Sequence, residues 1–120
     1  MSADRVVFVV DDEAIIAQTL AIILNQAGFI ATAFGDPDKA IAAAAETSPN
    51  LLISDVVMPG MTGVDLAIHF RTAHPTCKVL LFSGQARTAD LLDEARSRGY
   101  DFDLLTKPVH PADLLAKLGS

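Results

Sequence analysis

The chain has 120 residues, and 51% of them are hydrophobic, which is enough apolar material to build one core of ordinary size. Nine basic and fifteen acidic residues give a net charge of −6, which argues against a nucleic-acid surface and fits binding of cations or basic partners. We therefore expect a single domain over residues 1–120 that makes no direct contact with nucleic acid.

The cysteine content and the apolar runs bear on the location of the protein. Cys77 is the single cysteine and cannot form an internal disulfide, so the expected state is a free thiol outside an oxidising compartment. No charged-then-apolar leader stands at the start, and the longest apolar runs fall short of the roughly 18 residues that a membrane helix requires. These features predict a cytoplasmic protein without membrane contact.

The first half of the chain alternates between strand-like and helix-like patterns. Residues 5–10 form a β-branched run without polar alternation, typical of a central parallel strand that is covered on both faces. Residues 14–27 carry apolar side chains at helical spacing and end at a glycine. Residues 29–34 predict a weaker strand, because alanine is a poor strand former. An Asp-Pro pair then caps a helix that covers residues 36–46.

The second half continues the alternation. The predicted elements are a strand at 51–54, a helix at 64–73, a strand at 78–82, a helix at 88–98, a strand at 102–106 and a helix at 110–118. Five strands alternating with five helices predict an α/β fold, a doubly wound parallel sheet with helices on both faces.

Polar residues follow four of the five predicted strands. Asp11 and Asp12 follow the first, Asp55 the third, Ser83 the fourth and Lys107 the fifth, whereas the second strand ends in a glycine and a helix-capping aspartate, which favours an edge position. In open α/β sheets, ligands bind beyond the carboxyl ends of the strands. We therefore expect three carboxylates, one hydroxyl and one ammonium group to share one rim of the sheet.

The chemistry of this set favours phosphoryl transfer. Carboxylates about 4 Å apart repel by about 1 kcal/mol per pair in water-like surroundings and about 4 kcal/mol at an effective dielectric constant of 20. Magnesium relieves this repulsion and prefers hard oxygen ligands. Lys107 and Ser83 offer a positive charge and a hydroxyl donor to a phosphoryl group. Asp55 stands alone on its strand and is the predicted nucleophile, whereas Asp11 and Asp12 share one turn and are predicted to hold the metal.

The ordered set of motifs resembles the receiver domain of two-component response regulators over essentially the whole chain. The matching segments are the acidic residues 11–13 of VVDDE, the DVVMPGMTG loop that starts at Asp55, Ser83 with Gly84, and Lys107 with Pro108. The resemblance implies a flavodoxin-like sheet in the order 2-1-3-4-5. It also implies transfer of a phosphoryl group to Asp55 from a histidine kinase or phosphotransfer protein, and a signalling role rather than ordinary enzymatic turnover.

The resemblance further implies a metal site and an output surface. Magnesium would be bound by Asp12, Asp55 and the backbone carbonyl of Val57, with Asp11 acting mainly through water. The phosphorylated domain would bind a downstream effector protein or domain, or form a homodimer. Family members usually carry an aromatic switch residue three positions before the lysine, but Leu104 occupies that position here, and we expect Leu104 to pack in the core.

Two further hypotheses compete with the phosphoacceptor. A receiver-like interaction module that is never phosphorylated would keep its partners but fail to react with a phosphodonor. A flavin-binding protein of the same fold would need a phosphate-cradling loop after the first strand, where Asp11 and Asp12 would instead repel a phosphate. The complete acidic set argues against the interaction module, and the lack of a phosphate-cradling loop argues against the flavin-binding protein.

Overall fold

The computed structural model describes residues 6–84, 88–106 and 110–117. The strands are β1 (Val6–Val10), β2 (Ile30–Phe34), β3 (Leu51–Asp55), β4 (Lys78–Ser83) and β5 (Asp103–Thr106). The helices are α1 (Ala14–Gln26), α2 (Pro37–Glu46), α3 (Gly63–Ala73), α4 (Thr88–Ser97) and α5 (Pro111–Lys117). Each element coincides with a predicted one, with ends that differ by at most one residue; the predicted terminal residues 5 and 118 lie outside the described part.

The five strands form one parallel sheet in the order β2-β1-β3-β4-β5, which confirms the predicted topology. β2 lies at an edge, as predicted from the glycine and the helix-capping aspartate that follow it. The register aligns Val10 with Ser54, and Asp55 with Phe82. The carboxyl ends of β1, β3 and β4 therefore lie side by side at one rim of the sheet.

Helices cover both faces of the sheet, as predicted. Alternate strand residues point to opposite faces because the side-chain period of a strand is two. One face packs against α1 and α5 through the buried residues Val7, Val9, Ile53, Leu80, Phe82, Ala17, Leu20, Leu24 and Leu114. The other packs against α2, α3 and α4 through residues that include Phe8, Val10, Leu52, Leu81, Ala40, Phe70 and Ala95.

Local signals account for the ends of several helices. The Asp36 carboxylate accepts a hydrogen bond from the Asp38 N–H at 2.9 Å, so the predicted cap of α2 is present. Gly28 and Gly99 follow α1 and α4 with φ of +100° and +92°, a backbone conformation that favours glycine. Within the described residues, no helix is long and apolar enough to cross a membrane.

Candidate functional site

Asp55 is the last residue of β3 and is held deep in the sheet. Its side chain lies at the rim, but the residue is only 5% exposed. β3 continues one residue further than predicted, and beyond it the Val56 N–H still donates to the Phe82 carbonyl oxygen at 3.1 Å. The backbone on both sides of Asp55 is thus tied to β4, which fixes the position of the carboxylate.

Asp11 and Asp12 follow β1 directly and differ in their exposure. Asp11 is fully buried, and its N–H donates to the Phe34 carbonyl oxygen at 3.1 Å, which extends the pairing of β1 with β2. One carboxylate oxygen of Asp11 accepts the Glu13 N–H at 2.9 Å, an interaction that tightens the turn into α1. Asp12, in contrast, is exposed to solvent. The turn therefore presents one buried and one exposed carboxylate.

The two strand ends bring the three carboxylates together. One oxygen each from Asp11, Asp12 and Asp55 lies within 4.8 Å of the other two. Two of these residues are buried, so water screens their charges poorly. A cluster of hard oxygen donors with this spacing, open to solvent on the Asp12 side, suits a small divalent cation such as Mg²⁺. The predicted convergence of the three carboxylates is therefore observed.

The other predicted site residues lie on neighbouring strands. Ser83 ends β4, one residue beyond the register partner of Asp55, and is 4% exposed. Val57 is half-buried in the loop that follows Asp55. Lys107 lies outside the described residues. β5, which precedes it, aligns Thr106 with Ser83, so the described part of β5 runs toward the same rim.

Leu104 occupies the place where the receiver family usually carries an aromatic switch residue. It is half-buried and packs against the cluster beneath α2, α3 and α4. Its register partner on β4 is the fully buried Leu81. This agrees with the core-packing role expected for Leu104.

Sequence reasoning did not single out Ser54, which lies directly before Asp55. This residue is fully buried, and its hydroxyl donates to the Asp55 carbonyl oxygen at 2.9 Å. The available signal was a hydroxyl directly after the apolar residues 51–53 of strand Leu51–Asp55, since a buried hydroxyl requires a hydrogen-bond partner. Through this hydrogen bond, Ser54 contacts the backbone of the site rather than its carboxylates.

A cavity of about 450 Å³ opens at the opposite end of the sheet, where the strands begin. Its walls include Val7, Leu51, Lys78 and Asp103, which stand at or near the amino ends of their strands. None of the acidic residues of the rim lines it. This cavity is therefore separate from the carboxylate cluster.

The strand order and the acidic rim together define the receiver class of flavodoxin-like α/β domains. Residues 7–119 match the family model described as the response regulator receiver domain. The chain belongs to this family and is a receiver domain of two-component response regulators.

Individual relatives agree with this assignment. The chain is 32% identical over 112 residues to the probable transcriptional regulatory protein TcrX of Mycobacterium tuberculosis, covering 93% of this chain and 47% of that protein. It is 35% identical over 103 residues to the DNA-binding transcriptional regulator NtrC of Salmonella typhimurium, covering 86% of this chain and 22% of that protein. The chain therefore spans about half or less of these relatives.

Solved structures resemble the fold as a whole. The receiver domain of NtrX from Brucella abortus superimposes with a TM-score of 0.81 at 29% identity, covering 94% of both chains. Chemotaxis protein CheY4 of Vibrio cholerae gives a TM-score of 0.81 at 27% identity, covering 95% of both chains.

Proposed function

We propose that the domain accepts a phosphoryl group on Asp55 from the phosphohistidine of a sensor histidine kinase or phosphotransfer protein. The observation that carries the proposal is the cluster of Asp11, Asp12 and Asp55 within 4.8 Å at the carboxyl ends of β1 and β3. Asp55 is the member of the cluster on β3, and Ser83 lies at the end of the next strand. This arrangement supports Asp55 as the nucleophile.

Mg²⁺ is the proposed cofactor. Asp12, Asp55 and the backbone carbonyl of Val57 would hold it directly, and the buried Asp11 would act mainly through water. The fit rests on the donor set, since all these groups are hard oxygens and three of them are carboxylates that otherwise repel each other. When bound, the ion neutralises negative charge on the carboxylates and on the phosphoryl oxygens.

The proposed reaction is an in-line displacement at phosphorus. A carboxylate oxygen of Asp55 forms the new P–O bond while the P–N bond to the donor imidazole breaks, and the departing nitrogen keeps the electron pair and takes up a proton. The Ser83 hydroxyl would donate to one phosphoryl oxygen and the Lys107 ammonium to another. Hydrolysis of the acyl phosphate by water would return the carboxylate.

The proposed output follows from the added charge. Phosphorylation adds about 1.5 to 2 negative charges at the rim, which would draw the Ser83 hydroxyl and its loop toward the phosphoryl group. An effector protein or domain, or a second phosphorylated copy, would bind the surface that this movement alters. The name of one relative, the DNA-binding transcriptional regulator NtrC, is consistent with an effector that contacts DNA. The net charge of −6 argues against such contact by this domain. Family membership supports a cytoplasmic location.

Phosphodonor treatment tests the proposal. The protein is incubated with acetyl phosphate and Mg²⁺, and the intact mass and the oligomeric state are measured. We expect the mass of one phosphoryl group to be added to the wild type and to Asp103→Asn, a control that removes one exposed carboxylate at the far end of the sheet. Asp55→Asn should gain none.

Two outcomes would contradict the proposal. One is equal labelling of the Asp55→Asn variant, which would place the acceptor elsewhere. The other is no labelling of the wild type at any Mg²⁺ concentration while partner binding persists, which would select the receiver-like interaction module that is never phosphorylated.

A further inference from the structure

The carbonyl group of Asp55 is constrained from two sides by residues outside the acidic cluster. On one side is Ser54, fully buried, whose hydroxyl donates to the Asp55 carbonyl oxygen at 2.9 Å. This hydroxyl is buried inside the sheet, which shields the bond from bulk solvent. The carbonyl oxygen of the proposed nucleophile therefore accepts a hydrogen bond from a buried side chain.

Gly63 constrains the same carbonyl from the other side. A Cβ atom added to Gly63 would clash with the Asp55 carbonyl oxygen and would lie 2.8 Å from the Asp55 carbonyl carbon and 2.9 Å from the Val56 Cα. Carbon atoms that are not bonded prefer separations of about 3.5–4.0 Å. Gly63 has no positive φ, so the close approach, rather than its backbone conformation, excludes a side chain.

Val56 connects the two constraints. Its N–H donates to the Phe82 carbonyl oxygen at 3.1 Å, and its carbonyl oxygen accepts the Gly63 N–H at 2.7 Å. Val56 lies between Asp55 and Val57, which both contribute a ligand to the proposed metal site. The start of α3, where Gly63 lies, is itself fixed by a capping box between Thr62 and Asp65.

We infer that Ser54 and Gly63 are positioning residues, which hold the backbone from Asp55 to Val57 so that the Asp55 carboxylate and the Val57 carbonyl face one metal ion. The inference rests on the proposed function for the role of that ion. Neither residue is among the proposed ligands of the ion or the proposed donors to the phosphoryl group. They act by restricting the backbone that carries two of the ligands, and that restriction exists before any ligand binds.

The physical consequence is preorganisation of the site. A backbone that already holds the binding geometry loses less entropy when the ion binds. The dissociation constant for the ion is therefore lower. Loss of an outer-shell group that orients a ligand typically weakens metal binding about 10–100-fold. We expect Gly63→Ala to raise the Mg²⁺ dissociation constant about tenfold or more, and Ser54→Ala to raise it by a smaller factor.

The experiment compares these two variants with two controls. Gly35→Ala adds the same methyl group where, apart from the adjacent residues of the chain, no atom lies within 4 Å of it and φ is not positive. Val7→Ala removes buried volume at the opposite end of β1 and provides a loss of stability unrelated to the site. Each protein is measured for thermal unfolding, Mg²⁺ affinity by calorimetry, and hydrogen exchange of the Val56 and Gly63 amides without metal.

The inference predicts faster exchange at both amides in the metal-free Gly63→Ala and Ser54→Ala proteins, and weaker Mg²⁺ binding than in a Val7→Ala protein of similar melting temperature. Gly35→Ala should match the wild type. If Gly63→Ala does not fold, Ser54→Ala carries the test, because it removes one oxygen atom and leaves the packing nearly unchanged.

The inference is overturned if both variants lose stability only, with amide exchange and Mg²⁺ affinity that follow those of Val7→Ala. A wild-type protein that binds no Mg²⁺ would instead refute the proposed function and the metal part of the inference. The exchange measurement on metal-free protein would still decide whether Ser54 and Gly63 restrain this backbone, so the two failures are distinguishable.

Discussion

Removal of the Asp55 charge should stabilise the metal-free fold, although it destroys the proposed phosphoacceptor. The three carboxylates of the rim lie within 4.8 Å of one another, and Asp55 takes part in two of the three pairs. In the substitution Asp55→Asn, an amide of nearly the same shape replaces the carboxylate. It keeps the packing of a residue that is 5% exposed while it removes both repulsive interactions.

The geometry sets the magnitude. At the outer limit of 4.8 Å, each pair of unit charges repels by about 0.9 kcal/mol in water-like surroundings and about 3.5 kcal/mol at an effective dielectric constant of 20. The repulsion in the buried Asp11–Asp55 pair approaches the larger value. The repulsion between Asp55 and the exposed Asp12 is closer to the smaller value. Counterions relieve some of this repulsion. We expect Asp55→Asn to raise the free energy of unfolding by about 2 kcal/mol.

The assay is urea unfolding followed by far-ultraviolet circular dichroism, near neutral pH and low salt, with EDTA and then with Mg²⁺. Ligand at 100 times its dissociation constant stabilises a folded protein by about 2.7 kcal/mol. Mg²⁺ should therefore stabilise the wild type strongly and Asp55→Asn weakly. The difference in free energy of unfolding between the two proteins should then be smaller than in EDTA, or reversed in sign. Asp103→Asn, with the same change in net charge on β5, should respond to Mg²⁺ like the wild type.

A different pattern would refute the reasoning. If Asp55→Asn were no more stable than the wild type in EDTA, and Mg²⁺ stabilised both equally, the carboxylates would not form a repelling, cation-binding cluster. Equal stabilisation by Asp55→Asn and Asp103→Asn would indicate a general effect of net charge instead.

Three further predictions concern the scaffold. The Asn25 side chain bonds both the N–H and the carbonyl oxygen of Ala31 on edge strand β2, at 3.0 and 3.1 Å, so Asn25→Ala should cost about 1–2 kcal/mol in urea unfolding; an unchanged midpoint would contradict this. Thr62→Ala, which removes the cap of α3, should cost about 1 kcal/mol, whereas Thr62→Ser should retain most of the stability. Burial raises the pKa of the Cys77 thiol from 9.0 to about 11, partly offset by the Arg71 charge. Because the unfolded chain loses this proton first, the stability contributed by Cys77 is complete below pH 9 and declines by up to about 2 kcal/mol as the pH rises toward 11. The Cys77→Ala variant should lack this share of the decline, and identical pH profiles would show that the thiol is not linked to folding.

The amino-acid sequence by itself determined the order and nature of the elements, because their signals are local. The β-branched run of β1, the Asp36–Pro37 start of α2 and the glycine stops of α1 and α4 act on neighbouring residues. Parallel pairing then follows from alternation, since strands joined by helices run in the same direction. The polar residues at the strand ends could therefore be assigned to one rim from the sequence.

Only the tertiary structure decided how these residues meet. Asp11 and Asp12 are neighbours in the sequence, yet one is buried and the other exposed, because the first still pairs with β2 and the second does not lie in the sheet. The contact of Gly63 with the Asp55 carbonyl depends on how α3 packs against the end of β3, eight residues away along the chain. The Ser54 hydrogen bond likewise depends on the direction of a backbone carbonyl at a strand end. Residue types decide which chemistry is available at the rim, and distances set by packing decide which groups can share a single ion.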